Sequence, residues 1–203
     1  MNEDPIAIVL MIAVSFYVLY LWLHDYVADR AGRPNPHALP GATSAPLKAS
    51  VIAVAGTLVI LAAETWGEIR LGLSDQQSKI TVLFGVHSLL AAFVEELIFR
   101  GFVVVDGKGK VLRWAGILGA SVLFSVIHPF LWNLDNWVFT WTLTAKGWFS
   151  MAAVFLGSLW FYTVRFAAFN PNHSLIPCIA AHASKNLGVF AIKATQGFVV
   201  GLL

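Results

Sequence analysis

The sequence predicts an all-α membrane protein, a polytopic transmembrane helical bundle of about six transmembrane helices. Of its 203 residues, 58% are hydrophobic and 12% are charged. Soluble domains contain about 45–50% apolar and about 25% charged residues. The mean hydropathy is +0.75, and several apolar runs approach the roughly 20 residues that a helix needs to cross a bilayer. No strand-like alternation is sustained, and open sheet edges are excluded from lipid.

The chain divides into six hydrophobic segments. They are residues 6–23, 49–66, a helix within 80–105, 112–128, 147–168, and a last segment that starts at Ser174, which is a candidate N-cap. The first is interpreted as a retained helix and not as a signal peptide, because the preceding MNEDP has no Lys or Arg. The segment 25–48 holds four prolines and is predicted to be an irregular, mobile loop.

Composition also excludes several classes of protein. The net charge of +2 is too small to indicate nucleic-acid binding. A single cysteine, Cys178, excludes an intrachain disulfide and argues against a cysteine-based metal site. We therefore expect a multi-pass integral protein of the plasma (inner) membrane of a prokaryote, with the lipid bilayer as its main surroundings.

The stretch VEELIFRG places three charged residues inside an apolar run. Glu96 and Arg100 are four residues apart, so they share one helix face and are predicted to form an ion pair. Glu95 lies about 100° around the helix from Glu96 and has no local partner. A buried, unpaired carboxylate suits a general base working near neutral pH. The alternative is a structural cluster of ion pairs that holds helices together.

Two later stretches add polar residues at the same helical spacing. LFSVIHP places Phe124 and His128 four residues apart, and AAHASKN does the same for His182 and Asn186. A lone histidine or asparagine in a membrane is often only a hydrogen-bond partner between helices. Three segments that each carry acid–base or amide groups favour one shared site in which helices three, four and six converge, with helix five as scaffold.

In this order, EExxxR, FxxxH and HxxxN resemble the CPBP family of intramembrane glutamic proteases. That family includes the type II CAAX prenyl endopeptidases and bacteriocin-processing, Abi-like members. The resemblance spans about residues 83–186, and the stretches VFLGSLWFYTVR and SLIPCIAAHASKN are also similar to the family's approach to its last motif. It implies three parts of the chain: N-terminal helices with the proline-rich loop (1–79), a catalytic core (80–192) and a C-terminal tail (193–203).

The resemblance implies a role for each motif residue. Glu95 would be the general base that activates water, and His128 would position that water. His182 and Asn186 would stabilise the oxyanion.

The remaining motif residues would be structural. Glu96 and Arg100 would fix the helix face, and Phe124 would pack below His128. The implied activity is an endopeptidase that needs neither metal nor cofactor and acts on a protein or peptide substrate presented at the membrane, in the maturation of membrane-associated or C-terminally tagged proteins.

Two other hypotheses use the same residues. Glu95, His128 and His182 are possible ligands of a zinc ion in a metalloprotease, although the sequence has no HExxH. A non-enzymatic membrane protein with a buried polar cluster, such as a proton-relay subunit, is the other hypothesis. His87, eight residues before Glu95, is a further candidate for the same cavity. The residues do not choose between prenylated tails, peptide maturation, resistance to an exogenous peptide, and trimming of a sorting signal.

Overall fold

The computed structural model describes residues 5–135 and 137–202. Its six α-helices confirm the predicted helical bundle. They are α1 (Pro5–Arg30), α2 (Leu47–Arg70), α3 (Val82–Glu96), α4 (Lys110–Ile127), α5 (Ala145–Phe166) and α6 (Ile176–Thr195). A 3₁₀ turn (Ser74–Gln76) precedes α3, and a π-helical segment (Leu97–Phe102) continues it.

Five of these helices are long and apolar enough to cross a membrane: α1, α2, α3 with its π-helical segment, α4 and α5. Their outward faces are apolar, as the exposed side chains of Val14, Val59 and Val111 illustrate. Such surfaces suit lipid better than water. Helix α6 is not among the five. It carries Lys185 and Lys193 as well as the HASKN motif, so its polar groups depend on neighbouring helices for burial.

The structure corrects two expectations about the connections. A short antiparallel hairpin, β1 (Trp132–Asp135) and β2 (Val138–Trp141), follows α4, although no strand was predicted. The predicted loop 25–48 begins too early, because α1 continues to Arg30. The carboxylate of Asp25 accepts hydrogen bonds from the Leu39 N–H at 2.9 Å and the Asn35 amide at 3.0 Å, which anchors the loop to α1.

Helix ends follow local capping chemistry. Helix α5 starts two residues before the predicted position because the Thr144 hydroxyl accepts from the Gly147 N–H at 3.0 Å. Helix α6 starts two residues after the predicted Ser174, with Leu175 at the N-cap position. Ser174 Oγ still accepts from the Ile176 N–H at 3.2 Å.

The helix contacts place α5 and α6 beside the charged motif at the end of α3. Helix α6 packs against α2, α3 and α5, and α4 packs against α5. One buried cluster includes Phe93, Phe161 and Cys178. A second contains Phe99 and Phe124, among others. Helix α5 contributes Phe161 to the first cluster and Tyr162 to the second, so it lines the interior and is not only a scaffold.

Candidate active site

The opening motif changes helix type at the charged residues. Glu95 and Glu96 end α3, and Leu97–Phe102 forms the π-helical segment. π-Helical turns are rare and frequently occur at functional sites. Across this junction Arg100 Nη1 lies 3.1 Å from Glu96 Oε1, and both side chains are 0% exposed. The spacing of four residues thus gives the ion pair that the helical pattern predicts.

The guanidinium of Arg100 is enclosed by α5 and by aromatic rings. Its Nη2 donates to Ser158 Oγ at 2.7 Å, and Ser158 in turn donates to Ser121 Oγ on α4 at 3.0 Å. Its Cζ lies 4.6 Å from the ring centroid of Phe124 and 4.9 Å from that of Tyr162. Carboxylate, hydroxyl and ring faces together offset the cost of burying this cation.

Helix α5 also satisfies backbone groups of the π-helical segment. The Tyr162 hydroxyl lies 2.6 Å from the carbonyl of Phe99 and 3.0 Å from that of Val103. Arg165 Nε donates to the Arg100 carbonyl at 3.1 Å. These contacts hold the unusual turn in place, because buried carbonyls without partners are costly.

His182 connects the two glutamates. Its Nδ1 lies 2.8 Å from Glu96 Oε1, and its Nε2 lies 3.6 Å from Glu95 Oε2. The paired carboxylate of Glu96 only accepts hydrogen bonds, so His182 Nδ1 carries the proton. The ring is also stacked on Phe161, with centroids 4.9 Å apart. The Nε2 atom is therefore held facing Glu95.

Glu95 differs from its neighbour in burial. Its side chain remains 31% exposed, whereas that of Glu96 is fully enclosed. The expectation of a buried Glu95 carboxylate is therefore corrected, because its side chain is only partly enclosed. The 3.6 Å distance to His182 exceeds a direct hydrogen bond, so a small polar molecule can contact both groups.

His128 follows the last residue of α4 and has its tautomer fixed locally. Its Nδ1 lies 2.7 Å from the Phe124 carbonyl, which only accepts, so Nδ1 carries the proton. In the neutral ring Nε2 then has a free lone pair. Phe124 lies one turn away, with its ring centroid 4.8 Å from that of His128 and 6.1 Å from that of His182. Phe124 thus contacts both histidines.

Asn186 and His87 lie farther along the same pair of helices. The Asn186 side-chain amide donates to the Ser88 carbonyl at 2.8 Å, which ties α6 to α3 and leaves one amide N–H free of that contact. His87 lies against Phe84, with ring centroids 5.9 Å apart. Within residues 5–135 and 137–202, its buried Nδ1 has no hydrogen-bond partner.

The possible zinc ligands are not gathered as a metal-binding group. Among the described residues, no set of three His, Cys, Asp or Glu side chains is arranged to hold a metal ion. His182 has its Nδ1 against Glu96, and His128 has its Nδ1 against a backbone carbonyl. The arrangement instead offers one partly exposed carboxylate, Glu95, beside the oriented imidazole of His182, with a second oriented imidazole, His128, at the end of α4.

Sequence reasoning missed two contributors to this interior. Ser158 is the first, and its only signal was a small polar residue after Gly157 in an apolar helix, a composition typical of helix contacts in membranes. The second is the ion pair between Lys185 and Glu64, whose Nζ and Oε2 atoms are 3.0 Å apart. Lys185 lies three residues after His182, and this helical spacing could have indicated a polar contact. The HxxxN pattern includes only His182 and Asn186, so Lys185 was not considered.

Comparison with known proteins identifies a family for the central region of the chain. Residues 77–188 match the family model described as type II CAAX prenyl endopeptidase Rce1-like. No curated protein and no solved structure matches the chain. The matched range contains Glu95, His128, His182 and Asn186, and it covers just over half of the 203 residues. On this evidence, the chain belongs to the Rce1-like family of type II CAAX prenyl endopeptidases.

Proposed function

We propose that this protein is a membrane endopeptidase in which Glu95 activates the water that hydrolyses a peptide bond. Family membership implies intramembrane protease activity on protein substrates. The observation that supports Glu95 as the base is its contrast with Glu96. Glu96 is enclosed and bound to Arg100 and His182, whereas Glu95 is partly exposed and has no cationic side chain within ion-pair distance other than His182, among the residues that the structure describes.

The proposed reaction begins with proton transfer from water to Glu95. The resulting hydroxide adds to the peptide carbonyl carbon, and the carbonyl oxygen takes the negative charge. His128 Nε2 accepts a hydrogen bond from the water and orients it. The geometry that supports this step is the Nδ1 contact of His128 with Phe124, which directs the lone pair of Nε2 away from α4.

Collapse of the tetrahedral intermediate breaks the C–N bond. The proton held by Glu95 passes to the leaving nitrogen, so the immediate products are a carboxylic acid and an amine, and the acid then gives its proton to the amine to leave a carboxylate and an ammonium ion. We assign oxyanion stabilisation to the second amide N–H of Asn186 and, as the family resemblance implies, to His182 one turn away on the same helix. Glu96 orients His182 in the way that a buried carboxylate orients a catalytic histidine.

The decisive test compares protein termini in membranes of cells that express the wild-type chain or Glu95→Gln. We expect shortened C-terminal or internal fragments with the wild type and their uncleaved precursors with Glu95→Gln. Asp75→Asn, an exposed carboxylate in the 3₁₀ turn, is the matched control and should process normally. Identical termini for the wild type and Glu95→Gln at equal expression would contradict the proposal. The sequence at the cleaved ends would also show whether the substrates carry CAAX tails.

A further inference from the structure

The hairpin after α4 has one aromatic face and one polar face. In its antiparallel register Trp132 pairs with Trp141 and Leu134 with Phe139, while Asn133 pairs with Thr140 and Asp135 with Val138. Paired residues point to the same side of a two-stranded sheet. One face therefore carries Trp132, Leu134, Phe139 and Trp141, and the other carries Asn133, Asp135, Val138 and Thr140.

The aromatic face is assembled but uncovered. The Phe139 ring lies 5.9 Å from Trp132 and 5.0 Å from Trp141, measured between centroids. Nevertheless, Phe139 is 51% exposed and Trp141 is 67% exposed. At the tip, Trp137 is 93% exposed and has a φ of 64°, a conformation for which hairpin turns usually use glycine. A large apolar patch of this kind indicates an apolar partner.

The hairpin is continuous with the lipid-facing surface of the bundle. It joins α4 and α5, two of the five candidate membrane spans. The Trp132 Nε1 donates to the Val126 carbonyl in the last turn of α4 at 2.8 Å. Exposed apolar side chains on that turn, Val126 and Ile127, lead directly into the hairpin. The partner of the aromatic face is therefore expected to be the same one that covers α4.

Backbone chemistry limits how deeply the hairpin can lie. The sheet has two strands in the part of the chain that the structure describes, so the outer edge of each strand presents N–H and C=O groups without ladder partners. Such edges are excluded from the hydrocarbon core. An isolated hairpin with an uncovered aromatic face is in turn marginal in water. The headgroup region satisfies both requirements, and tryptophan is enriched there.

We propose that the β1–β2 hairpin lies in the lipid–water interface, with its aromatic face toward the acyl chains and its polar face toward water. This location stands independently of the proposed reaction. It has one consequence for the site: Phe130, at the root of the hairpin, is stacked on His128 with centroids 5.7 Å apart. An interfacial anchor at this point would fix the depth of His128 relative to the bilayer.

Neighbouring positions on opposite faces of the hairpin provide the test. Full-length protein with Cys178→Ser as background receives a single cysteine at Phe139 or at Thr140, and each is labelled with an environment-sensitive fluorophore. The proteins are reconstituted into vesicles of phosphatidylcholine and phosphatidylglycerol. Quenching is measured with iodide in the water and with lipids whose nitroxide lies near the headgroup or at the end of the acyl chain. Lys108→Cys and Leu123→Cys are the aqueous and lipid-facing controls.

We expect the probe at Phe139 to lose fluorescence to the headgroup-proximal nitroxide and to resist iodide, and the probe at Thr140 to do the reverse. Leu134→Cys and Asn133→Cys repeat the comparison on β1 if the first pair disturbs folding. Equal quenching of both faces by iodide would overturn the proposal, because the hairpin would then project into water. Protection of the Phe139 probe from iodide and from both nitroxides would also overturn it, because a protein partner would then cover the aromatic face.

Discussion

The polar interior has two neighbouring parts with opposite environments. In the enclosed cluster, Glu96, Arg100 and Ser158 are buried and bonded to one another across α3 and α5. In the open pair, Glu95 is 31% exposed and its Oε2 lies 3.6 Å from His182 Nε2. Glu95 and Glu96 are adjacent and are the same type of residue, so residue type alone does not distinguish them. The difference arises because successive helical residues point about 100° apart, so Glu96 meets Arg100 in the interior, whereas Glu95 stays partly exposed.

This comparison separates structural charge from reactive charge. Removing a member of the enclosed cluster leaves a buried group without its partner, which lowers the free energy of unfolding. Removing the carboxylate of the open pair leaves no such group, so its effect should be confined to chemistry.

Arg100→Met should give the largest loss of stability. It leaves Glu96 buried without its guanidinium, at a cost of roughly 3–5 kcal/mol. Thermal unfolding of purified protein in detergent measures the change as a lower Tm. The double variant Glu96→Gln with Arg100→Met should recover part of the loss, because no unpaired charge remains. A wild-type Tm for Arg100→Met would show that the cluster is not structural.

Lys185→Met should have a smaller effect on stability. Lys185 pairs with Glu64 between α6 and α2, but the two side chains keep 9% and 17% exposure, so solvent compensates part of the loss. We expect roughly 2–3 kcal/mol, below the range for a fully enclosed pair. The exposed Lys48→Met is the matched control and should leave Tm unchanged. A Tm decrease for Lys185→Met as large as that for Arg100→Met would refute this ranking by burial.

Ser158→Ala should weaken the enclosed cluster without breaking its ion pair. The change removes the side-chain acceptor for Arg100 Nη2, leaving it the Ser158 carbonyl at 3.3 Å, and should lower stability by roughly 1–2 kcal/mol. Thr163→Ala on the same helix is the control, since its exposed hydroxyl donates to the Leu159 carbonyl within α5 at 2.9 Å. Equal Tm values for the two variants would mean that Ser158 is not a significant partner.

The exposed pair of Asp106 and Arg113 should give the smallest effect, through pH. The Gly107 N–H and then Arg113 hold the pKa of Asp106 below its usual range. A lowered pKa stabilises the folded state above the unfolded pKa, and this contribution is lost as pH falls through the folded value. Asp106→Asn should therefore reduce the Tm decrease between neutral and acidic pH, slightly. A larger Tm decrease in acid for the variant would contradict the sign.

Local spacing made part of this arrangement predictable from the sequence. The Glu96–Arg100 pair follows from four-residue periodicity, and so does the contact between Phe124 and His128. Partners from distant segments were not predictable. Ser158 is 58 residues from Arg100, and an apolar helix contains nothing that specifies such a contact. The hairpin escaped prediction because WNLD and VFTW alternate over only four residues each.

The assignment of His182 shows the same limit. Its place in HxxxN indicated a polar group facing the site, but the Nδ1 contact with Glu96 depends on how α3 and α6 cross. The family resemblance implied a role for His182 toward the oxyanion, and neither it nor the helical spacing indicated that His182 would connect the two glutamates. The enclosed cluster and the open pair are joined at this one residue.

Side-by-side measurement of Glu95→Gln and Glu96→Gln tests the central claim most directly. Both substitutions keep side-chain shape and remove one negative charge, so each is the other's control. Product formation per folded molecule and Tm are measured on the same preparations, with a substrate identified from the cleaved termini. We predict that Glu95→Gln forms no product and keeps the wild-type Tm, whereas Glu96→Gln has a clearly lower Tm. Wild-type activity in Glu95→Gln, or equal Tm losses in the two variants, would contradict the account.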